Sequence, residues 1–149
     1  MVSPVMIDAK NPLYSVNGVF NAIFIHGNVL GDAMFYGSGA GKLPTASAVV
    51  ADVVDCAKNK GRNIMMSWSE EKLNLLQIDD VKSRFFVRVS GHAAERQSEI
   101  EELFGKVEIV AVPSLSEEFA FITGEITEQK YREKAEKLDG IQSRIRARI

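Results

Sequence analysis

The chain has 149 residues, 46% hydrophobic and 26% charged, which suits one globular domain of ordinary size or two small ones with a buried core. A formal net charge of −2 excludes a protein built as a whole to bind polyanions. The single cysteine, Cys56, excludes an internal disulfide and fits a reducing, cytoplasmic setting.

The opening "MVSPVMIDAK" lacks the basic start and apolar centre of a signal peptide, and no apolar run is long enough to span a bilayer. Next come two short apolar runs in "VFNAIFIHGNVLGDAMFYG", on either side of His26-Gly27-Asn28. Gly27 and Asn28 tolerate positive φ, so the pattern predicts a β-hairpin with a longish turn. The loop "GSGAG" follows the second strand, and Pro44 stands where a helix would start, its missing N–H costing nothing there. From Ala46 onward Val49, Val50, Val53, Val54 and Ala57 recur three and four apart, which is helical spacing. Asp52 and Asp55 fall on the other side, and Gly61 is a stop signal.

The texture changes near Gly61. Residues 1–61 hold Lys10, Lys42, Lys58 and Lys60 against Asp8, Asp32, Asp52 and Asp55, while the remaining 14 of 18 basic and 16 of 20 acidic side chains lie in 62–149. Residues 62–83 read as a tethered linker, because Met65, Met66, Trp68, Leu73, Leu75 and Leu76 call for apolar partners. Then "RFFVRVSG" places Phe85, Val87 and Val89 on one strand face and Arg84, Phe86 and Arg88 on the other. "AAERQSEIEELFG" carries Ala93, Gln97, Ile100, Leu103 and Phe104 at helical spacing before Gly105. "KVEIVAVPS" and "EFAFITGEI" are strands joined by a turn at Leu115–Glu117. Thr127 can cap a helix with inner face Tyr131, Ala135 and Leu138, stopped by Gly140. The last strand sets Ile145, Ala147 and Ile149 against Arg144, Arg146 and Arg148. The order is β-α-β-β-α-β, a ferredoxin-like plan with one antiparallel sheet and both helices on one face.

The glycine loop fits neither familiar phosphate pattern: Lys42 stands where a dinucleotide fingerprint needs its third glycine. Tyr36 and Leu43 occupy the positions a P-loop gives to glycine and to Ser or Thr. Alone, the loop is a tight strand-to-helix turn. Asp52 and Asp55 read as an exposed helix face rather than paired acids, and His26 and His92 as solvated loop histidines without metal-ligand spacing. Cys56 reads as a small buried residue beside the valine stripe. If Arg84 and Arg88 shared the open sheet face with Arg144, Arg146 and Arg148, that face would be basic around Phe86, as in an RNA recognition motif. "EFAFITGEI" lacks the required basic-glycine-aromatic opening, and Glu108 and Glu125 can neutralise the arginines. The face is therefore read as solvated or dimer-forming, with no nucleic acid.

The stretch "NPLYSVNGVFNAIFIHG", followed by "GDAMFYGSGAGKLPTASAVVADVVD", closely resembles the C-terminal part of the catalytic region of homoserine dehydrogenase, from about Pro12 to Asp55. The hairpin, the glycine turn and the "PTASAVVADVVD" helix occur together and in order. The resemblance implies that helix 44–60 packs against a Rossmann domain, and that Gly39, Ala40 and Gly41 contact the nicotinamide cofactor, NADP or NAD. The family's dinucleotide fingerprint, catalytic lysine and homoserine-binding acids precede the matched stretch. No catalytic residue and no metal site is assigned, and the chain is expected to be a C-terminal fragment, inactive alone.

Bacterial members of that family often continue through a linker into an ACT domain of β-α-β-β-α-β plan, which residues 84–149 match in pattern. The expected class is α+β: a catalytic-region hairpin and helix over 1–61, a linker over 62–83, and an ACT-like domain over 84–149. Such domains take a regulatory amino acid, here threonine by implication, at the turn after their first strand. That turn holds Gly91 and His92, and it lacks the family's acid and proline. A homo-oligomer, most simply a dimer, is expected, with no membrane partner. The alternative is a stand-alone ACT-type amino-acid sensor or assembly module without catalysis.

Overall fold

Alternating strands bury one face and helices bury one stripe, so each element has to find a layer to pack against. The structure, a computed structural model, describes residues 1–62 and 67–149. Its strands are β1 (Val5–Ile7), β2 (Asn21–Gly27), β3 (Gly31–Gly37), β4 (Lys82–Ser90), β5 (Glu108–Val110), β6 (Glu118–Ile122), β7 (Ile126–Thr127) and β8 (Ile141–Arg148). The helices are α1 (Lys42–Lys58), α2 (Ala93–Phe104) and α3 (Glu128–Ala135). The chain divides into two units, residues 9–73 and residues 1–8 with 74–149.

The larger unit is a mixed α/β layer structure. Its sheet runs β1-β8-β4-β6-β5, with β7 paired to the start of β4. Within it, β4, α2, β5, β6, α3 and β8 follow the succession expected from the sequence. Phe85, Val87 and Val89 of β4 and Phe119 and Phe121 are buried in one core with Ile100 and Phe104 of α2 and Tyr131 of α3. Phe85 stacks on Tyr131 with ring centroids 4.3 Å apart, and Phe104 meets Phe121 at 5.3 Å. Side chains of this kind contribute about 1.5–3 kcal/mol each when fully buried. Thr127 caps α3 as its position predicts, its hydroxyl accepting from the Lys130 N–H at 3.2 Å. Gly105 closes α2 with φ 77°. Gln97, assigned to the inner face of α2, is exposed, because the buried stripe needs only Ile100 and Phe104.

One strand departs from the expected all-antiparallel sheet. β1 pairs parallel with β8, in register Val5↔Arg146, Met6↔Ala147 and Ile7↔Arg148. Without it β8 would be an open edge, a row of unpaired N–H and C=O groups. Residues 1–8 thus leave the hairpin that follows them and join the sheet formed by the chain's far end, where the sequence reading groups them with residues 9–61. At the other boundary, Val81 and Lys82 already belong to the sheet unit: the Val81 carbonyl accepts from Glu128 N–H at 3.0 Å, and Lys82 pairs with Thr127.

The smaller unit has a different character. β2 and β3 form an antiparallel hairpin from Asn21↔Gly37 to Gly27↔Gly31. The residue that takes positive φ is Gly31, at 76°, rather than Gly27 or Asn28, so the left-handed position falls where the turn enters β3. α1 starts at Lys42, two residues before Pro44, which still lies in the first turn. None of its residues is buried: Val49, Val50, Val53 and Val54 stand 44–62% exposed. Cys56, expected to be buried beside them, is exposed as well. Trp68, Leu73, Leu75 and Leu76 are also 70–87% exposed and find no apolar cover, while Met65 and Met66 lie outside the described residues.

Candidate functional site

The glycine turn between β3 and α1 is shaped by the need to bring strand and helix together closely. A Cβ at Gly39 would stand 2.7 Å from Asn21 Nδ2. Gly41 is the residue before the first helical turn and has φ 110°, a conformation L side chains rarely adopt. Its carbonyl accepts from the Thr45 N–H at 3.2 Å and from Thr45 Oγ1 at 2.9 Å. Gly41, Lys42 and Leu43 are exposed, as is Ala40. The three residues assigned to the cofactor are therefore contiguous, open and backed by a helix N-terminus, where backbone N–H groups favour negative charge. Asp52 and Asp55 are exposed on α1, and Asp55 accepts from the Asn59 amide at 3.1 Å. His26 lies across the hairpin from Asp32, its Nδ1 2.5 Å from the carboxylate.

In the sheet unit the turn after β4 is held by backbone and by one arginine. Gly91 has φ 101°, and its N–H donates to the Glu117 carbonyl at 2.8 Å. His92 precedes α2 and makes no side-chain capping bond. Arg96 donates to the Ser90 carbonyl and to the Asp139 carbonyl, each at 3.0 Å, and pairs with Glu99. It passes 3.2 Å from the place a Cβ on Gly91 would take. Gly91 and His92 are consecutive residues of a turn that Arg96 closes. Sequence reasoning missed Arg96, since nothing local marks a helix arginine that folds back one turn.

The arginine face is corrected by the strand register. Phe85 pairs with Arg146 and Val87 with Arg144, so these two arginines share the face that the helices cover. Arg84, Phe86 and Arg88 point the other way. Arg144 Nη1 donates to Glu128 Oε2 at 2.9 Å, and Arg146 pairs with Glu128 Oε1. Glu128 is only 2% exposed, and the Arg144 guanidinium lies 4.8 Å over the Tyr131 ring. Burial raises the Tyr131 phenol above its ordinary value, Arg144 pulls it down and Glu128 pushes it up, with the rise prevailing. On the open face Arg84 meets Glu108 at 3.5 Å and Arg88 meets Glu118 at 2.6 Å. Glu108 neutralises as anticipated. The continuous basic face that an RNA reading needs is absent. Among the described residues no group of His, Cys, Asp or Glu is arranged to hold a metal ion.

Residues 1–54 match the family model described as homoserine dehydrogenase. Over those residues the chain is similar to homoserine dehydrogenase. The homoserine dehydrogenase of Lactococcus lactis is 42% identical over 91 residues, which cover 59% of this chain and 21% of that protein. That of Synechocystis is 39% identical over 95 residues, 58% of this chain and 22% of the relative. That of Corynebacterium glutamicum reaches 54% over a shorter 59 residues, 40% of this chain and 13% of the relative. Two crystal structures share the fold at 24% identity: homoserine dehydrogenase from Thiobacillus denitrificans, with TM-score 0.74, and from S. aureus at pH 6.0, with TM-score 0.68. Each covers 98% of this chain and 37–38% of its own. The chain therefore spans about a fifth of the curated homoserine dehydrogenases named first and under two fifths of the solved ones.

Proposed function

We propose that this chain supplies the C-terminal part of an NAD(P)-dependent homoserine dehydrogenase, an oxidoreductase that interconverts L-aspartate 4-semialdehyde and L-homoserine on the route to threonine and methionine. The observation that carries this is α1 with its glycine turn: a helix N-terminus open at Gly39–Gly41, followed by a valine stripe with no partner in its own unit. A helix with an apolar stripe and no core is a component of a larger assembly. In this reading the stripe docks on the dinucleotide domain, and the turn faces the nicotinamide end of NADP or NAD. The β-α-β-β-α-β unit acts as a regulatory or oligomerising ACT domain in a homo-oligomer, most simply a dimer. Threonine is its expected effector, taken at the turn of Gly91 and His92. A cytoplasmic location goes with this reading.

Hydride transfer needs cofactor and substrate positioned against each other. The purified chain alone is expected not to oxidise NADPH with aspartate semialdehyde, and activity from it would overturn the reading. In the full-length enzyme Gly41→Val places a side chain where φ 110° tolerates none and where the cofactor approaches. The expected result is a fall of about a hundredfold in kcat/KM for the cofactor, the scale of an ångström-sized misplacement, with only a modest fall in Tm from the strained backbone. Unchanged kinetics would return Gly41 to a purely structural role.

A further inference from the structure

Gly37, Gly39 and Gly41 alternate through the turn from β3 to α1, and each is glycine for a different reason. Gly41 holds a φ that side chains rarely take, and Gly39 has no room for a Cβ because Asn21 lies against it. Gly37 answers to neither need: its φ is not positive, and a Cβ there would meet nothing within 4 Å. A strand glycine that neither backbone nor packing requires marks a place where a ligand or another chain approaches closely.

Directly across from Gly37 is Asn21, the first residue of β2. Opposed residues of an antiparallel pair point to one face about 5 Å apart, so the missing side chain of Gly37 leaves a gap beside Asn21. Asparagine is depleted in strands, which calls for a reason. Its Nδ2, Oδ1 and Cγ stand 2.7, 3.3 and 3.4 Å from the place a Cβ on Gly39 would take, so the carboxamide packs on the glycine turn. The residue is nonetheless exposed, and its side chain makes no hydrogen bond among the described residues. Two donors and an acceptor oxygen remain free. Farther along the same face stand Ile23 and its partner Phe35, 65% and 66% exposed. A ligand lying here meets a carboxamide at one end and an apolar surface over the rest.

We propose that Asn21 reads the carboxamide of the cofactor's nicotinamide ring. This rests on the dehydrogenase reading of Gly39–Gly41 and adds to it a residue from a different strand. A carboxamide presents a donor and an acceptor side by side, so two of them pair through reciprocal N–H···O bonds. The Asn21 amide donates to the nicotinamide carbonyl, and the nicotinamide amide donates to the Asn21 carbonyl. The gap at Gly37 admits the ring that carries the group. Fixing the carboxamide fixes the rotation of the ring, and with it the face presented for hydride transfer.

Isothermal titration calorimetry of the full-length enzyme is the test, with NADP or NAD, whichever binds more tightly, and two analogues of that dinucleotide. The 3-acetylpyridine form keeps the carbonyl and lacks the amide donors, and the nicotinic acid form carries a carboxylate instead. The parent should bind the nicotinamide form at least about tenfold more tightly than either, the scale of one or two hydrogen bonds. Asn21→Ala forfeits two bonds to the nicotinamide form and one to the acetylpyridine form, so the ratio between them should fall close to one. Asn21→Asp keeps the shape of the side chain and should weaken the nicotinic acid form most, carboxylate facing carboxylate. Equal binding of the three forms by the parent overturns the inference, and that arm needs no variant. A preference that survives Asn21→Ala overturns it too, as does a loss in both variants that is uniform across the three forms, the mark of a residue that only props the turn. Failure of the parent to bind either dinucleotide overturns the dehydrogenase reading itself, and this inference with it.

Discussion

The two units use hydrophobic residues in opposite ways. Residues 74–149 gather Phe85, Val87, Val89, Ile100 and Phe121 into a core where each is fully buried. Residues 9–73 also carry many Ile, Val and Phe, yet no described residue there is buried. Ile23, Ile25 and Phe35 on one hairpin face and the valines of α1 stay open. A lone hairpin is marginal in water, and a helix of this length gains most of its stability from packing. The sequence of the smaller unit is thus written for neighbours that lie beyond it, while the larger unit closes on itself.

The sharpest way to probe the self-contained unit is to remove its buried carboxylate. Glu128→Ala leaves Arg144 and Arg146 without their shared counter-charge, at an expected cost of about 3–5 kcal/mol. In a unit this small that approaches total stability, so urea unfolding followed by near-ultraviolet circular dichroism should show the native tyrosine signal lost or its midpoint much lowered. Adding Arg144→Met and Arg146→Leu should restore much of the loss. A stable single variant would mean that the cluster is solvated.

For the unit that lacks a core, the corresponding variable is association. At micromolar concentration the chain should scatter light as an oligomer, above its 16.5 kDa monomer mass. Paired substitutions Val49→Glu and Val53→Glu should shift it toward the monomer without lowering the Tm of the sheet unit. A clean monomer for the parent chain would end the claim that these faces seek partners.

The smallest effect concerns Tyr131, whose phenol burial holds above its ordinary value near 10. A group raised in the folded state stabilises fully below its unfolded value and loses that contribution as pH climbs through the folded one. Stability should therefore fall more steeply above about pH 10 in the parent than in Tyr131→Phe. Parallel curves in alkaline urea titrations would show that the phenol ionises freely.

Local signals were legible and long-range ones were not. The cap at Thr127, the left-handed glycine after α2 and the three-and-four spacing of α1 are written within a few residues, and each element formed. The burial of that spacing depends on a partner surface, so Val53 and Cys56 are exposed where periodicity alone puts them inside. The alternation of β8 was visible too, but its facing was not. Isoleucine is the natural inward residue, yet pairing with β4 turns Arg144 and Arg146 inward to Glu128, a carboxylate many residues away. The cofactor turn owed its assignment to the family resemblance rather than to its glycines, which by themselves fit no phosphate motif.

The pairing of β1 with β8 makes the smaller unit an insert. The backbone leaves the sheet after Ile7 and re-enters it at Lys82, so residues 9–73 belong to a loop of chain anchored at both ends. Closing such a loop grows only slowly more costly with its length, about 0.6 kcal/mol per doubling. The span between the anchors can therefore lengthen or shorten at little cost to the sheet. A single protease cut within residues 67–73 would not free the sheet unit from the rest: the N-terminal piece would remain clipped to it through three residues of parallel ladder.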